Sequence, residues 1–270
     1  MPAPSTEHDR LDDFDCRELG FAGQTHDVFV AGQGPAILVL PEIPGITPEV
    51  ADAARRLVEA GFSVWVPSLF GEPGRPLTQS WAMRTIAKAC VNKTFRAFAR
   101  AERAPIIDYL RALGAHAQAE SGGEGIGVIG MCFTGNFALV LAIDERVKLP
   151  VMSQPSLPLG VRRSAKKAIA VDPDDLARIK ARVADDDDEL CVIGLRFTAD
   201  PFVPSSRFRR LEREFGDAFL GIEIDSSKGN HYGWNFQTHS VLTTEYSPEA
   251  GHPTNDAWNL VVSHLTDRLL

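Results

Sequence analysis

The stretch Gly125 to Phe137, Gly-Ile-Gly-Val-Ile-Gly-Met-Cys-Phe-Thr-Gly-Asn-Phe, constrains this chain more than any other. Ile126, Val128 and Ile129 predict a short buried strand, and the apolar run from Asn136 to Ile143 predicts a buried helix. Only Gly130 to Gly135 remains to turn one into the other, and small residues there let the two backbones approach closely. The chain is therefore committed to a strand that feeds straight into a helix, with Cys132 on the bend.

That bend resembles the nucleophile elbow Gly-x-Ser-x-Gly, with cysteine in place of serine and the second glycine at 135 instead of 134. A side chain so placed sees the positive end of the helix dipole and backbone N–H groups that stabilise a thiolate or an oxyanion. Cys132 is the candidate nucleophile; taken alone, it also fits a buried apolar cysteine.

Two hundred and seventy residues, 44% apolar and 24% charged, suffice for one large α/β core, so a single domain over 1–270 is expected. A formal charge of −8 argues against nucleic acid or an anionic membrane surface as partner. No run approaches the roughly 20 apolar residues of a membrane helix, and the first residues lack a signal-peptide pattern. A cytoplasmic location is expected. Cys16, Cys90, Cys132 and Cys191 are scattered without metal or disulfide spacing, so free thiols, no metal and no cofactor are expected.

Along the chain, 26–30 and 36–40 read as strands joined hairpin-fashion through Gly32 and Gly34. The second is wholly apolar, hence central, and ends in the loop Pro41 to Ile46, where α/β sheets place their sites. A helix at 48–60, a strand at 62–66 and two helical pieces over 79–114, broken at Ala104-Pro105, follow. After the elbow helix come a strand at 149–152, a Pro/Gly loop at 154–160 and a helix at 174–184. The acidic run Asp185 to Glu189 reads as a solvated loop. Then come a strand at 190–197, helix 205–215, strand 219–224 and a last helix at 254–269. Alternating strands and helices predict a mainly parallel sheet covered on both faces.

A nucleophile in mid-chain, an acid after a later strand and a histidine near the C-terminus follow the order of α/β-hydrolase triads. Cys132 and Asp200 fit, with His231, His239 or His252 as third member. At this point the chain resembles the dienelactone hydrolase family from about residue 26 to 269. Gly130-Met131-Cys132-Phe133-Thr134-Gly135 matches that family's elbow, and Asp200-Pro201-Phe202-Val203-Pro204 its acid-bearing turn. Glu42-Ile43-Pro44-Gly45 matches its early loop, and Pro67-Ser68-Leu69-Phe70, more loosely, a further turn. The resemblance implies an α/β-hydrolase fold and a Cys-His-Asp carboxylic ester or lactone hydrolase of the carboxymethylenebutenolidase type, acting on a small molecule through a thioester. It implies Cys132, Asp200 and His239 as catalytic residues, since the family's histidine is followed by serine. The N–H groups of Phe133 and Ile43 would form the oxyanion hole, and Glu42 would be a gating residue that touches the resting cysteine.

Distance from the preceding strand favours His231 instead. If His239 is the base, residues 224–238 must loop outward and return, leaving His231 on the rim. Family members acting on dienelactone use arginines for the substrate carboxylate; the one four residues past the histidine is here Thr243, and Arg84 or Lys88 is the candidate for the other charge. The alternative to an enzyme is a binding or regulatory protein that keeps the hydrolase scaffold without turnover.

Overall fold

A computed structural model describes residues 5–78, 80–82, 84–85, 105–157, 169–185, 188 and 190–270. Its strands are β1 (Asp15–Phe21), β2 (Gln24–Ala31), β3 (Ala36–Leu40), β4 (Ser63–Pro67), β5 (Ile126–Met131), β6 (Val147–Ser153), β7 (Val192–Phe197) and β8 (Phe219–Ile224). They form one eight-stranded sheet in the order β1-β2-β4-β3-β5-β6-β7-β8. Every pairing from β4 to β8 is parallel, and β1 and β2 are antiparallel additions at one edge. This is the mainly parallel, α/β-hydrolase-like sheet that the alternation predicts.

The first hairpin differs from expectation. β2 pairs with β1 and β4, not with β3. The fully apolar β3 is drawn between β4 and β5, where both of its faces are buried, whereas the amphipathic β2 can face solvent. β1 carries Arg17 and Glu18 and alternates only between exposed and half-buried positions, as suits an edge strand.

Helices are α1 (Pro48–Glu59), α2 (Pro105–Ser121), α3 (Gly135–Leu141), α4 (Pro173–Val183), α5 (Ser205–Phe215) and α6 (Pro253–Leu269). α1 and α4 both start on Pro at N1, behind Thr47 and Asp172, whose side chains accept backbone N–H bonds. Period-two alternation in the central strands sorts the core into two layers. Leu38 and Leu40 join one with Phe137, Ile179 and Phe208, while Ile37 and Val39 join the other with Val50, Leu57, Trp258 and Val261. The sheet is thus sandwiched, and its central strands are held in register by burial on both sides.

Asp188 of the acidic run does not point to solvent. Both of its oxygens bind Arg182, at 2.6 Å, and that guanidinium also reaches the Ala142, Asp144 and Val147 carbonyls. The expected helical piece before Ala104-Pro105 lies mostly outside the described residues, as do Lys88 and Cys90. Among the described residues no helix is long and apolar enough to cross a membrane.

Candidate active site

β5 ends at Met131 and a single 3-10 turn, Cys132–Thr134, leads into α3. Cys132 sits at φ = 55°, in the left-handed region, where a residue with a Cβ is held at a cost of about 1–3 kcal/mol. The surroundings supply that cost. Thr134, wholly buried, accepts the Met131 N–H at 2.9 Å on its hydroxyl oxygen, and its hydroxyl lies 2.8 Å from the Leu40 carbonyl and 2.9 Å from that of Met131. The residue that replaces the family's glycine therefore ties the elbow to the end of β3. A Cβ on Gly130 would stand 2.2 Å from the Thr134 carbonyl oxygen, so that position must be bare. Gly130→Ala is expected to displace the elbow backbone, removing at least nine-tenths of whatever ester or lactone turnover the resemblance implies and about 1–3 kcal/mol of stability. Urea unfolding together with a steady-state assay checks both, and a variant with wild-type turnover would contradict this account of the bend.

Strand β7 delivers Asp200, which is 3% exposed. One carboxylate oxygen accepts the Phe202 N–H at 2.8 Å; the other lies 2.6 Å from Nδ1 of His239. Burial opposes charge on the His239 imidazole, but the charge of Cys132 and hydrogen bonds to Asp200 and Cys132 outweigh it. Its pKa is held well above the ordinary histidine value. The structure therefore brings Cys132, His239 and Asp200 together in the order sulfur, imidazole, carboxylate.

The other late histidines lie elsewhere. Residues after β8 form an irregular, mostly exposed loop pinned by Asn230, whose side chain accepts the Tyr232 and Trp234 N–H groups at 3.0 Å and donates to the Trp234 carbonyl at 2.6 Å. Trp234 packs edge-on against Phe197 at 5.0 Å, fixing this loop to β7. His231 is exposed and rests on Tyr232. His252 caps α6, accepting the Thr254 N–H.

Glu42 is buried at 7% exposure and accepts from the histidine segment, Ser240 Oγ at 2.7 Å and Thr243 Oγ1 at 2.6 Å, and from Gln154 Nε2 on the loop after β6 at 3.3 Å. The sulfur of Cys132 instead lies 3.0 Å from Ser156 Oγ. Ile43, half-buried, follows Glu42 in the loop after β3, while Phe133 is buried beside Cys132 against Phe137. Arg84 is exposed.

Three features were missed in the sequence. Gln154, fully buried and at φ = 35°, accepts the Val241 N–H and donates to Glu42 and so holds the loop after β6 to the histidine segment. Arg207, 1% exposed, donates to the Pro155 and Phe202 carbonyls and clamps that loop to the acid turn; burial lowers its pKa to about 10 against the pull of Asp200. Phe202, 63% exposed, stands edge-on to His239 at 5.9 Å and makes an apolar rim. No local pattern marks the first two, because their partners are distant in sequence. Phe202 was signalled by its place in the acid-bearing turn.

Comparison with known families now decides the lineage, since the dienelactone hydrolase family model matches residues 21–269. The chain belongs to the dienelactone hydrolase family. Among solved structures, a putative dienelactone hydrolase from Klebsiella pneumoniae is similar at 14% identity, covering 94% of this chain and 98% of its own, with a TM-score of 0.61. A dienelactone hydrolase from Anabaena variabilis is similar at 13% identity, covering 96% and 100%, with a TM-score of 0.58. A cold-adapted esterase from an Arctic intertidal metagenomic library gives 16% identity, 99% and 100% coverage and a TM-score of 0.59. At such identities these neighbours speak to the fold. No curated protein matches the chain.

Proposed function

We propose that this dienelactone hydrolase family member hydrolyses a carboxylic ester or lactone through a thioester on Cys132. The observation that carries the reading is His239, whose Nδ1 lies 2.6 Å from the buried Asp200 carboxylate and whose pKa is raised by the charge of Cys132 and by Asp200. The Cys132 thiolate attacks the carbonyl carbon, a C–S bond forms and the carbonyl electron pair moves to oxygen. The Phe133 and Ile43 N–H groups are assigned to receive that oxyanion. Collapse expels the alkoxide, which takes a proton from the His239 imidazolium; in a lactone it stays attached as the hydroxyl end of the acyl chain. His239 then removes a proton from water, hydroxide adds to the thioester, and thiolate leaves. Asp200 holds the ring and its charge throughout.

Glu42 is assigned here as a brace, fixing the His239 segment through Ser240 and Thr243. With Thr243 committed to Glu42, the site offers no cation at the position where dienelactone-acting relatives carry arginine. Neutral esters and lactones are therefore the favoured class.

The test is a panel of lactones and aryl esters, with mass spectrometry of quenched enzyme for an acyl adduct on Cys132. Turnover without any adduct on Cys132 would contradict the thioester route. Absence of turnover, with iodoacetamide still reacting at Cys132 ahead of the other cysteines, would favour a binding protein on this scaffold. Burial raises the thiol pKa of both Cys16 and Cys191, so neither should compete for the reagent at neutral pH.

A further expectation concerns pH and stability. His239 has a folded pKa above its unfolded value near 6.5, so its stabilising contribution is complete below about pH 6.5 and is lost as pH rises through the folded value. The stability gap between wild type and His239→Gln, from urea unfolding, should therefore narrow between mildly acidic and alkaline pH. A gap that widens with pH would reverse the assigned sign.

A further inference from the structure

The loop after β6 carries more of the site than the triad alone requires. Ser156 is anchored from both ends: its N–H donates to the Cys132 carbonyl at 3.0 Å, and its carbonyl accepts Asn136 Nδ2 at 2.8 Å. Asn136 Nδ2 also reaches the Phe133 carbonyl at 3.1 Å, so Ser156 is fixed to the elbow by two bonds, one to the Cys132 carbonyl and one from an Asn136 side chain that is itself held there. Its Cα is thereby held, and the hydroxyl lies 3.0 Å from the sulfur at a position only 8% exposed, where water competes little. Towards a thiolate, a hydroxyl 3.0 Å away can only donate. Glu42 is occupied by Ser240, Thr243 and Gln154.

We propose that the Ser156 hydroxyl is the second hydrogen-bond partner of the Cys132 thiolate, holding the sulfur between itself and His239 and stabilising it as nucleophile and as leaving group. The proposal rests on the reading of Cys132 as the nucleophile and deepens it. When the thioester forms, the sulfur loses its negative charge and this bond weakens; when the thioester is hydrolysed, the hydroxyl again meets a developing thiolate. Ser156 thus favours the step in which sulfur departs. Charged groups tied by hydrogen bonds to this part of the site, among the described residues, include His239 with Asp200 behind it, Glu42, held to the same loop by Gln154, and Arg207, which fixes the adjoining Pro155.

The experiment is the pH profile of Cys132 alkylation by iodoacetamide in wild type, Ser156→Ala and Ser156→Thr, followed by peptide mapping. Loss of a charge-assisted donor should move the Ser156→Ala profile to higher pH, lowering the rate on its acidic limb about tenfold. On the alkaline plateau the rate should equal or exceed wild type, since a less stabilised thiolate is the better nucleophile. Ser156→Thr keeps the hydroxyl and should restore the acidic limb. A uniform fall at every pH, or an unmoved profile, would overturn the proposal, since a purely structural role gives the former and no role the latter. The Cys132 reading is judged separately: if alkylation maps elsewhere, or Cys132→Ala still turns over ester, that reading fails whatever Ser156 does.

Discussion

Cys132→Ala is expected to lower ester or lactone turnover to less than a few per cent of wild type, while urea unfolding stays within about 1 kcal/mol of it. The two effects separate because the substitution deletes one half-buried sulfur and leaves the backbone demand unchanged. Alanine at 132 must still adopt φ = 55°, and the bonds that impose it run through Thr134 and Gly130, not through the thiol. The same reasoning extends to two neighbours. Cys132→Gly should be more stable than Cys132→Ala by about 1 kcal/mol, because glycine meets no penalty in the left-handed region. Cys132→Ser should be nearly as inactive as alanine, since a hydroxyl paired with His239 lacks the thiol's ready ionisation. Strain that disappears on removing the side chain, together with activity that disappears with it, is the signature of a backbone distorted to present a nucleophile. Residual turnover above a few per cent in Cys132→Ala would remove the nucleophile from the scheme.

The parts that sequence made legible are those whose signal is local. β3 and β5 are read from unbroken apolar runs, and both strands are buried along their whole length. The elbow is read from Gly130, because a strand and a helix can meet there only if no Cβ stands between Gly130 and Thr134. Ser240 after His239 marked the family's histidine, and its hydroxyl is found on Glu42, so the dipeptide has a physical meaning. Long-range features stayed hidden. Arg207 lies in a helix, Ser205–Phe215, that also carries Arg209, Arg210 and Arg213, and only tertiary contact reveals that this one turns inward. Gln154 and Ser156 stood in what read as a plain Pro/Gly loop, yet they join β6 to the elbow and to the histidine segment. β1 was missed because half-exposed alternation on an edge strand is hard to tell from a polar leader to the first buried strand. Glu42 lies in the expected loop, and its hydrogen bonds to Ser240 and Thr243, about two hundred residues away in sequence, are ones that only tertiary contact reveals.

His239→Ala should lower the maximal rate by about a thousandfold or more, and His231→Ala should leave it within a few-fold. Among the described residues, the imidazole of His239 is the late one with a carboxylate on Nδ1, at 2.6 Å, and with Cys132 acting on its charge. Removing it takes away the general base, the acid for the leaving alkoxide and the cation beside the sulfur. It also strands Asp200, 3% exposed, without its cationic partner, so some loss of stability should accompany the loss of rate. His239→Gln keeps a donor toward Asp200 and should recover part of the stability but none of the rate. That split distinguishes an acid–base role from bracing of the loop. His231 is exposed, stacked edge-on against Tyr232 at 5.1 Å, and held away by the Asn230 turn; its loss should appear, if anywhere, in KM. The decisive measurement is kcat for both variants on one activated ester, alongside Cys132 alkylation at neutral pH. Alkylation should slow sharply in His239→Ala and hold in His231→Ala, because only the former loses the positive charge beside the sulfur. A thousandfold loss in His231→Ala with an intact His239→Ala would exchange the two assignments and leave the hydrolase reading standing.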